Sequence, residues 1–186
     1  ICAKYDNWKN NYNYYLLSMS DFFTKTDLSR KDAESIISET LNNCDDGELY
    51  LENSKSESIV LDDDKIKSST YSSDLGYGLR AITGEVVAYS HSNEISKNSL
   101  KQSASNLSST LKSKKGVYNH QIPKTNEKFY KDINPIEEKS LQSKLELLKE
   151  VNNYTRAKGG TVQQVTASFS GEHKSIEIIR SGGEVL

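Results

Sequence analysis

The sequence is short of several things, and each shortage closes off a class of function. An excess of charge is missing: 24 Lys and Arg face 26 Asp and Glu, for a formal net charge of −2. A balanced chain has no electrostatic footprint for a polyanion or an anionic membrane surface, so no nucleic acid and no membrane are expected as partners. Long apolar runs are missing as well. Stretches such as Ser58 to Leu61 have the length of a strand, far below what spans a bilayer. Cysteine is nearly absent: Cys2 and Cys44 lie far apart with no zinc-ligand spacing, and no secretory apolar segment precedes them. A reducing, cytoplasmic setting is expected, with Cys44 as a small buried filler just past a helix.

Catalytic patterns are missing too. His91, His120 and His173 form no HExxH and no HxH, and no cysteine pair flanks them, so each reads as a surface or satisfied histidine. Serine is abundant, yet no GxSxG elbow occurs, and Ser170 with Gly171 reads as a turn after a strand. Glu57 with Asp62 and Glu137 with Glu138 are pairs that any chain with this many acids produces by chance. Asp62, Asp63 and Asp64 lack the glycine and distal glutamate of a calcium loop and read as a solvated turn. Lys112, Lys114 and Lys115 beside Tyr118 read as a solvated helix end.

What remains is a chain of 186 residues with a mean hydropathy of −0.70, enough for one domain or one and a half. Residues 1–18 carry no helical or alternating period and are expected to be a non-native or upstream extension, with Met19 as the start. Ile36, Ile37 and Leu41 recur at helical spacing, and Ser29 with Asp32 fits a capping box, predicting a helix from about Ser29 to Asn43. Alternation then predicts strands at Glu48 to Glu52, Ser58 to Asp62, Lys65 to Ser72, Gly76 to Ile82 and Val86 to His91.

Leu100, Ala104, Leu107 and Leu111 form one apolar stripe on a helix over Ser96 to Lys112. A connecting loop over 116–134, containing Pro123, follows. Asn134 then caps a helix that begins at Pro135, with Leu141, Leu145, Leu148 and Val151 on one side. Val162 to Ser170, a turn at Gly171 and Glu172, and Ser175 to Arg180 predict a second hairpin, and Glu184 to Leu186 reads as a strand cut short. The expected fold is therefore α+β: an antiparallel sheet of four to five strands flanked by helices, then a helix leading into a second, truncated antiparallel sheet. The expected division is an N-terminal α+β domain over 19–115, the loop at 116–134, and a second region over 135–186.

The stretch ELYLENSKSESIVLDDDKIKSSTYSSDLGYGLRAITGEVVAYSHSNEIS, residues 48 to 96, resembles the opening of the TldD/PmbA family, also called modulator of DNA gyrase proteins. The resemblance rests on the ESIVLDDDKIKS hairpin, on SSDLGYGLRAITGE, and on AYSHSNEIS leading into a helix, a form similar to the TldD branch. FYKDINPIEEKSLQSKLELLKEVNNYTRA and VQQVTASFSGEHKSIEIIRSGG resemble the next portion of TldD. The resemblance implies a cytosolic metallopeptidase whose zinc is held by an HExxxH helix and a distant cysteine, with a glutamate as general base. It also implies assembly with a TldE/PmbA-like subunit around a chamber that takes unfolded peptides as an added strand.

No HExxxH occurs in this sequence, so no catalytic or metal role is carried onto any residue; the zinc is expected in the full-length parent, beyond Leu186. The chain is read as the non-catalytic N-terminal fragment of such a peptidase. Its candidate substrate- or partner-binding residues are Gly76, Gly78, Arg80 and His91, the two glycines lying on one strand face where a backbone or helix can approach closely. A stand-alone interaction module that binds a partner through its hairpins is the alternative, and direct binding to gyrase or DNA ranks last.

Overall fold

The computed structural model describes residues 22–24, 26–111, 115–117 and 133–180. The extension at 1–18, Met19, Cys2, Lys112, Lys114, Tyr118, His120, Pro123, most of the connecting loop and the short strand at 184–186 lie outside the described residues.

Four strands and four helices follow one another in the order α1 (Arg30–Leu41), β1 (Asp46–Asp62), β2 (Lys65–Thr83), β3 (Val86–Ser92), α2 (Lys97–Leu111), α3 (Pro135–Glu138), α4 (Leu141–Arg156) and β4 (Thr166–Arg180). The strands form one antiparallel sheet in the order β3-β2-β1-β4. This is the expected α+β architecture of a four-stranded antiparallel sheet with flanking helices. The second hairpin is corrected: β4 runs unbroken through Gly171 and Glu172 and joins the same sheet, so no second sheet forms among the described residues. Contacts across β1 and β4 fix the antiparallel sense, with Asp62 bonded to Thr166, Ser54 to Glu172, and Glu48 paired with Arg180.

The five strand segments expected before α2 are three strands. Asn53 to Ser56 and Ser72 to Asp74, polar stretches that resemble turns, lie inside the long strands β1 and β2. Polar residues there reflect weak burial rather than a break: the first half of β2, Lys65 to Leu75, is exposed at every position. Two tight turns close the hairpins. Asp63 and Asp64 both have positive φ (46° and 64°), the pattern of a type I′ turn, and Gly84 (φ 59°) takes the first central position between β2 and β3. The left-handed region is entered by Asp more readily than by most side chains.

Packing divides the chain into two compact units that interleave along the sequence, where the division expected from the sequence is linear. The first comprises the described residues up to Leu51, those of 76–132, and Glu177 to Arg180. Its core gathers Leu28, Ile37 and Leu41 of α1 and its lead-in, Leu49 and Leu51 of β1, Leu79 and Ala81 of β2, Leu100 and Leu107 of α2, and Ile179 of β4. Fully burying an aliphatic side chain of this size contributes about 1.5–3 kcal/mol. Helix α2 packs on β3 and on α1. At the start of α1, Arg30 makes two close contacts to the buried Glu177 carboxylate, at 2.6 and 2.8 Å.

The second unit comprises Glu52–Leu75 and Ile133–Ile176. Its apolar core is small: Ile59, Leu61, Leu148 and Ala167, with Leu145 and Phe169 packed against them. The helix expected from Pro135 onward is two helices. Asn134 caps only the single turn of α3, Lys139 is extended (φ −116°, ψ 137°), and Ser140 caps α4 anew by accepting from Ser143 N–H. Leu141 and Val151 are correspondingly exposed, while Lys144 and Asn152 are buried beside Leu148.

Candidate functional site

Residues that alternate along β2 separate cleanly by face. Tyr77, Leu79, Ala81 and Thr83 are buried on one side, and Gly76, Gly78, Arg80 and Ile82 take the opposite side, where Gly78 is buried and the other three are half-buried. The register of the β2–β3 hairpin places Gly78 directly across from His91 and Arg80 directly across from Tyr89. All four sequence candidates, Gly76, Gly78, Arg80 and His91, therefore belong to the same hairpin of the first unit. Gly78 and His91 are cross-strand partners.

The two glycines have different neighbours. A Cβ on Gly78 would lie 2.7 Å from the Tyr89 hydroxyl and 3.1 Å from its ring, so the Tyr89 side chain crosses the space that the missing side chain leaves. A Cβ on Gly76 would lie 2.9 Å from the Ser92 carbonyl oxygen, so backbone makes the close approach there. The Tyr89 ring in turn stacks on His91, with centroids 5.8 Å apart and planes inclined by 26°. Tyr89 and Val87 are exposed beside them, on β3, which is an edge strand of the sheet.

Next to this aromatic face lies a run of alternating charge. Arg80 lies 3.2 Å from Glu48 and 3.4 Å from Asp46, and Arg180 lies 3.6 Å from Glu48. Among the described residues, the Nε groups of Arg80 and Arg180 and one Asp46 oxygen are buried without a hydrogen-bond partner. The far end of the hairpin is fixed by Asp45, whose carboxylate accepts from Gly84 N–H (2.6 Å) and Val117 N–H (2.8 Å). These two backbone donors hold Asp45 below the usual carboxylate range. From the core side, the buried Tyr77 hydroxyl joins Ser99 (2.8 Å) and Ser103 (2.9 Å) of α2, and Ser103 meets Ser90 of β3 (3.0 Å), so the hairpin is tied to the helix behind it.

Sequence reasoning missed Tyr89, Val87, Asp46, Glu48 and Arg180 as members of this face. The alternation of Val87, Tyr89 and His91 along β3 is the signal that could have found the first two. The charged members come from three strands and have no sequence signal.

The described residues do not fit a zinc ion. No three His, Cys, Asp or Glu side chains among them come together as a ligand set. His91 is stacked on Tyr89, His173 belongs to the second compact unit, and Cys44 is buried in the core of the first. No helix among the described residues is long and apolar enough to cross a membrane.

Residues 47–110, from the start of β1 almost to the end of α2, match the family described as PmbA/TldA metallopeptidase domain 1. The chain is similar to the metalloprotease TldD homolog of Buchnera aphidicola from Acyrthosiphon pisum, with 34% identity over 143 residues, 76% of this chain and 30% of that protein. It is also similar to the TldD homolog of Haemophilus influenzae, with 32% identity over 180 residues, 94% of this chain and 36% of that protein. It thus spans about a third of the length of these curated relatives. Among solved structures, a candidate modulator of DNA gyrase from Thermotoga maritima superposes with a TM-score of 0.65 at 12% identity, over 84% of this chain and 36% of that one. TldE from Thermococcus kodakarensis superposes with a TM-score of 0.56 at 16% identity, over 83% and 36%. At these identities the structural likeness establishes the shared fold.

Proposed function

Because the chain belongs to the TldD/PmbA family, we propose that it is the N-terminal, non-catalytic portion of a TldD-like zinc metallopeptidase, and that it helps to shape a peptide chamber or a partner interface. The observation that carries this reading is the match of residues 47–110 to the family's first domain, in a chain about a third as long as its relatives. Zinc and the residues that activate water are assigned to the remainder of the parent, since this sequence carries no HExxxH. Unfolded peptide is the proposed substrate of the parent, a TldE/PmbA-like subunit its proposed partner, and the cytoplasm its proposed location.

Within this chain the reading places the contact face on the β2–β3 hairpin. An exposed tyrosine stacked on a histidine offers apolar area with a polar tip, the composition favoured where one polypeptide meets another. The purified chain should bind no stoichiometric zinc and cleave no peptide. Metal analysis giving close to one zinc per chain, or proteolysis abolished by a chelator, would sink the proposal. The reading frame beyond the Leu186 codon should encode HExxxH; a stop codon there would favour a stand-alone interaction module. In the full-length parent, Tyr89→Ala should reduce co-purification of the TldE-type subunit while leaving bound zinc unchanged.

A further inference from the structure

We propose that Lys144 and Glu57 form a registry pin in the second unit, fixing where α4 sits along β1 and β4 rather than supplying stability. Lys144 is only 5% exposed and its partner Glu57 on β1 is 11% exposed at the side chain. The Lys144 ammonium donates to the Glu57 carboxylate and to the Ile136 carbonyl of α3 (2.6 Å), and it lies 5.6 Å from the centroid of the Phe169 ring on β4. An ammonium has three protons, and three acceptors from three other elements surround this one.

The apolar packing around it does not choose a register by itself. Leu141, Leu145, Leu148 and Val151 repeat at three- and four-residue intervals along α4; Leu148 is buried against Ile59, Leu61 and Ala167, Leu145 packs beside it, and Leu141 and Val151 are exposed. Sliding α4 by one turn replaces Leu148 with Leu145 or Val151, one apolar side chain for another. The same slide would set Leu141 or Leu147 opposite Glu57 and leave a buried carboxylate without a cation. That repulsive element removes the slipped arrangements, as a single buried polar pair does when it fixes the register of paired helices. The net worth of such a pair against apolar substitutes is small, whereas removing one partner is costly.

The test compares the 186-residue chain with Glu57→Gln, Lys144→Met and the double variant Lys144→Met/Glu57→Leu, by denaturant unfolding, amide exchange and methyl spectra of Leu145 and Leu148. Each single variant should unfold at clearly lower denaturant. The double variant should recover most of that loss, yet show more than one methyl environment and α4 amides exchanging roughly tenfold faster or more. A double variant with one set of methyl signals and the parent's exchange rates would overturn the proposal, because packing would then set the register. A double variant no more stable than the worse single variant would overturn it too, because the pair would then act as a source of stability.

Discussion

Glycines 76 and 78 share a strand face but not a reason for being glycine. At Gly76 the obstacle to a side chain is the Ser92 carbonyl at 2.9 Å, held in the β2–β3 ladder and unable to move alone. At Gly78 it is the end of an exposed tyrosine, which can swing into solvent. Gly76→Ala should therefore cost about 1–3 kcal/mol of stability, the range for forced overpacking. Gly78→Ala should cost less than about 1 kcal/mol while breaking the Tyr89–His91 stack. Chemical denaturation ranks the two, and the His91 ring resonances report the stack.

The turn at Asp63 and Asp64 makes the opposite case. Asp63 has uses for its side chain, accepting from Val165 N–H (3.0 Å) and pairing with Arg156. The Asp64 backbone is left-handed at φ 64° and its side chain is exposed. Asp64→Gly should stabilise the hairpin by about 0.5–1 kcal/mol, the left-handed penalty of a side chain less the extra unfolded-state freedom of glycine. Thermal unfolding of the two proteins decides it. At Asp45 the folded carboxyl titrates lower than the unfolded one, so its contribution is present above pH about 4 and is lost as pH falls through the folded value. Asp45→Asn should flatten the loss of stability between pH 5 and pH 2, to within about a unit at either end, when melting is followed across that range.

At the scale of elements, capping decides what periodicity leaves open. Ser29 accepts from Asp32 N–H at 3.1 Å and its hydroxyl meets the Asp32 carboxylate at 2.8 Å, so α1 starts where its sequence signal says it starts. The Asp32 carboxyl is held below its usual range, first by Lys97 and then by Ser29. The break between α3 and α4 was hidden because Asn134 and Ser140 are both good caps and the apolar repeat carries straight across them. Ser140→Ala should cost about 1 kcal/mol and raise exchange in the first turn of α4, which a fused helix over 135–156 would not do. Strands were harder to read than helices. Polar residues at 53–56 and 72–74 carry turn composition, yet the first are only half-buried and the second exposed, so neither face of the strand demands an apolar residue there.

At the scale of the whole molecule, the second unit depends more on polar links than the first. Lys55 pairs with Glu137 at 2.5 Å, Lys174 with Glu52 at 3.2 Å, and Asp62 accepts from Gln164 and Thr166, both at 2.9 Å. Gln164 and Thr166 hold Asp62 below the usual carboxylate range, and Lys55 does the same for Glu137. Glu137 in turn raises Lys55. The signs give a plateau: carboxylate contributions are lost as pH falls below about 4, and the Lys55 contribution, present below about pH 10, is lost as pH rises through its folded value. A denaturant midpoint that is flat from about pH 5 to 9 and falls on both sides is expected. Continuous decline from neutral pH would contradict it.

The sequence by itself determined the first two helices, the faces of the paired strands, the α+β class and the family, because each rests on local periodicity, capping or a contiguous motif. It also determined the four candidates on one hairpin, since residues two apart on a strand must share a face. Tertiary structure alone decided that β4 returns to the same sheet, that Tyr89 fills the space over Gly78, and that Arg80, Glu48 and Arg180 meet. Those outcomes depend on which strands pair, and pairing across a hundred residues is set by the summed burial of the core and the satisfaction of buried charge, quantities that no short stretch of sequence contains.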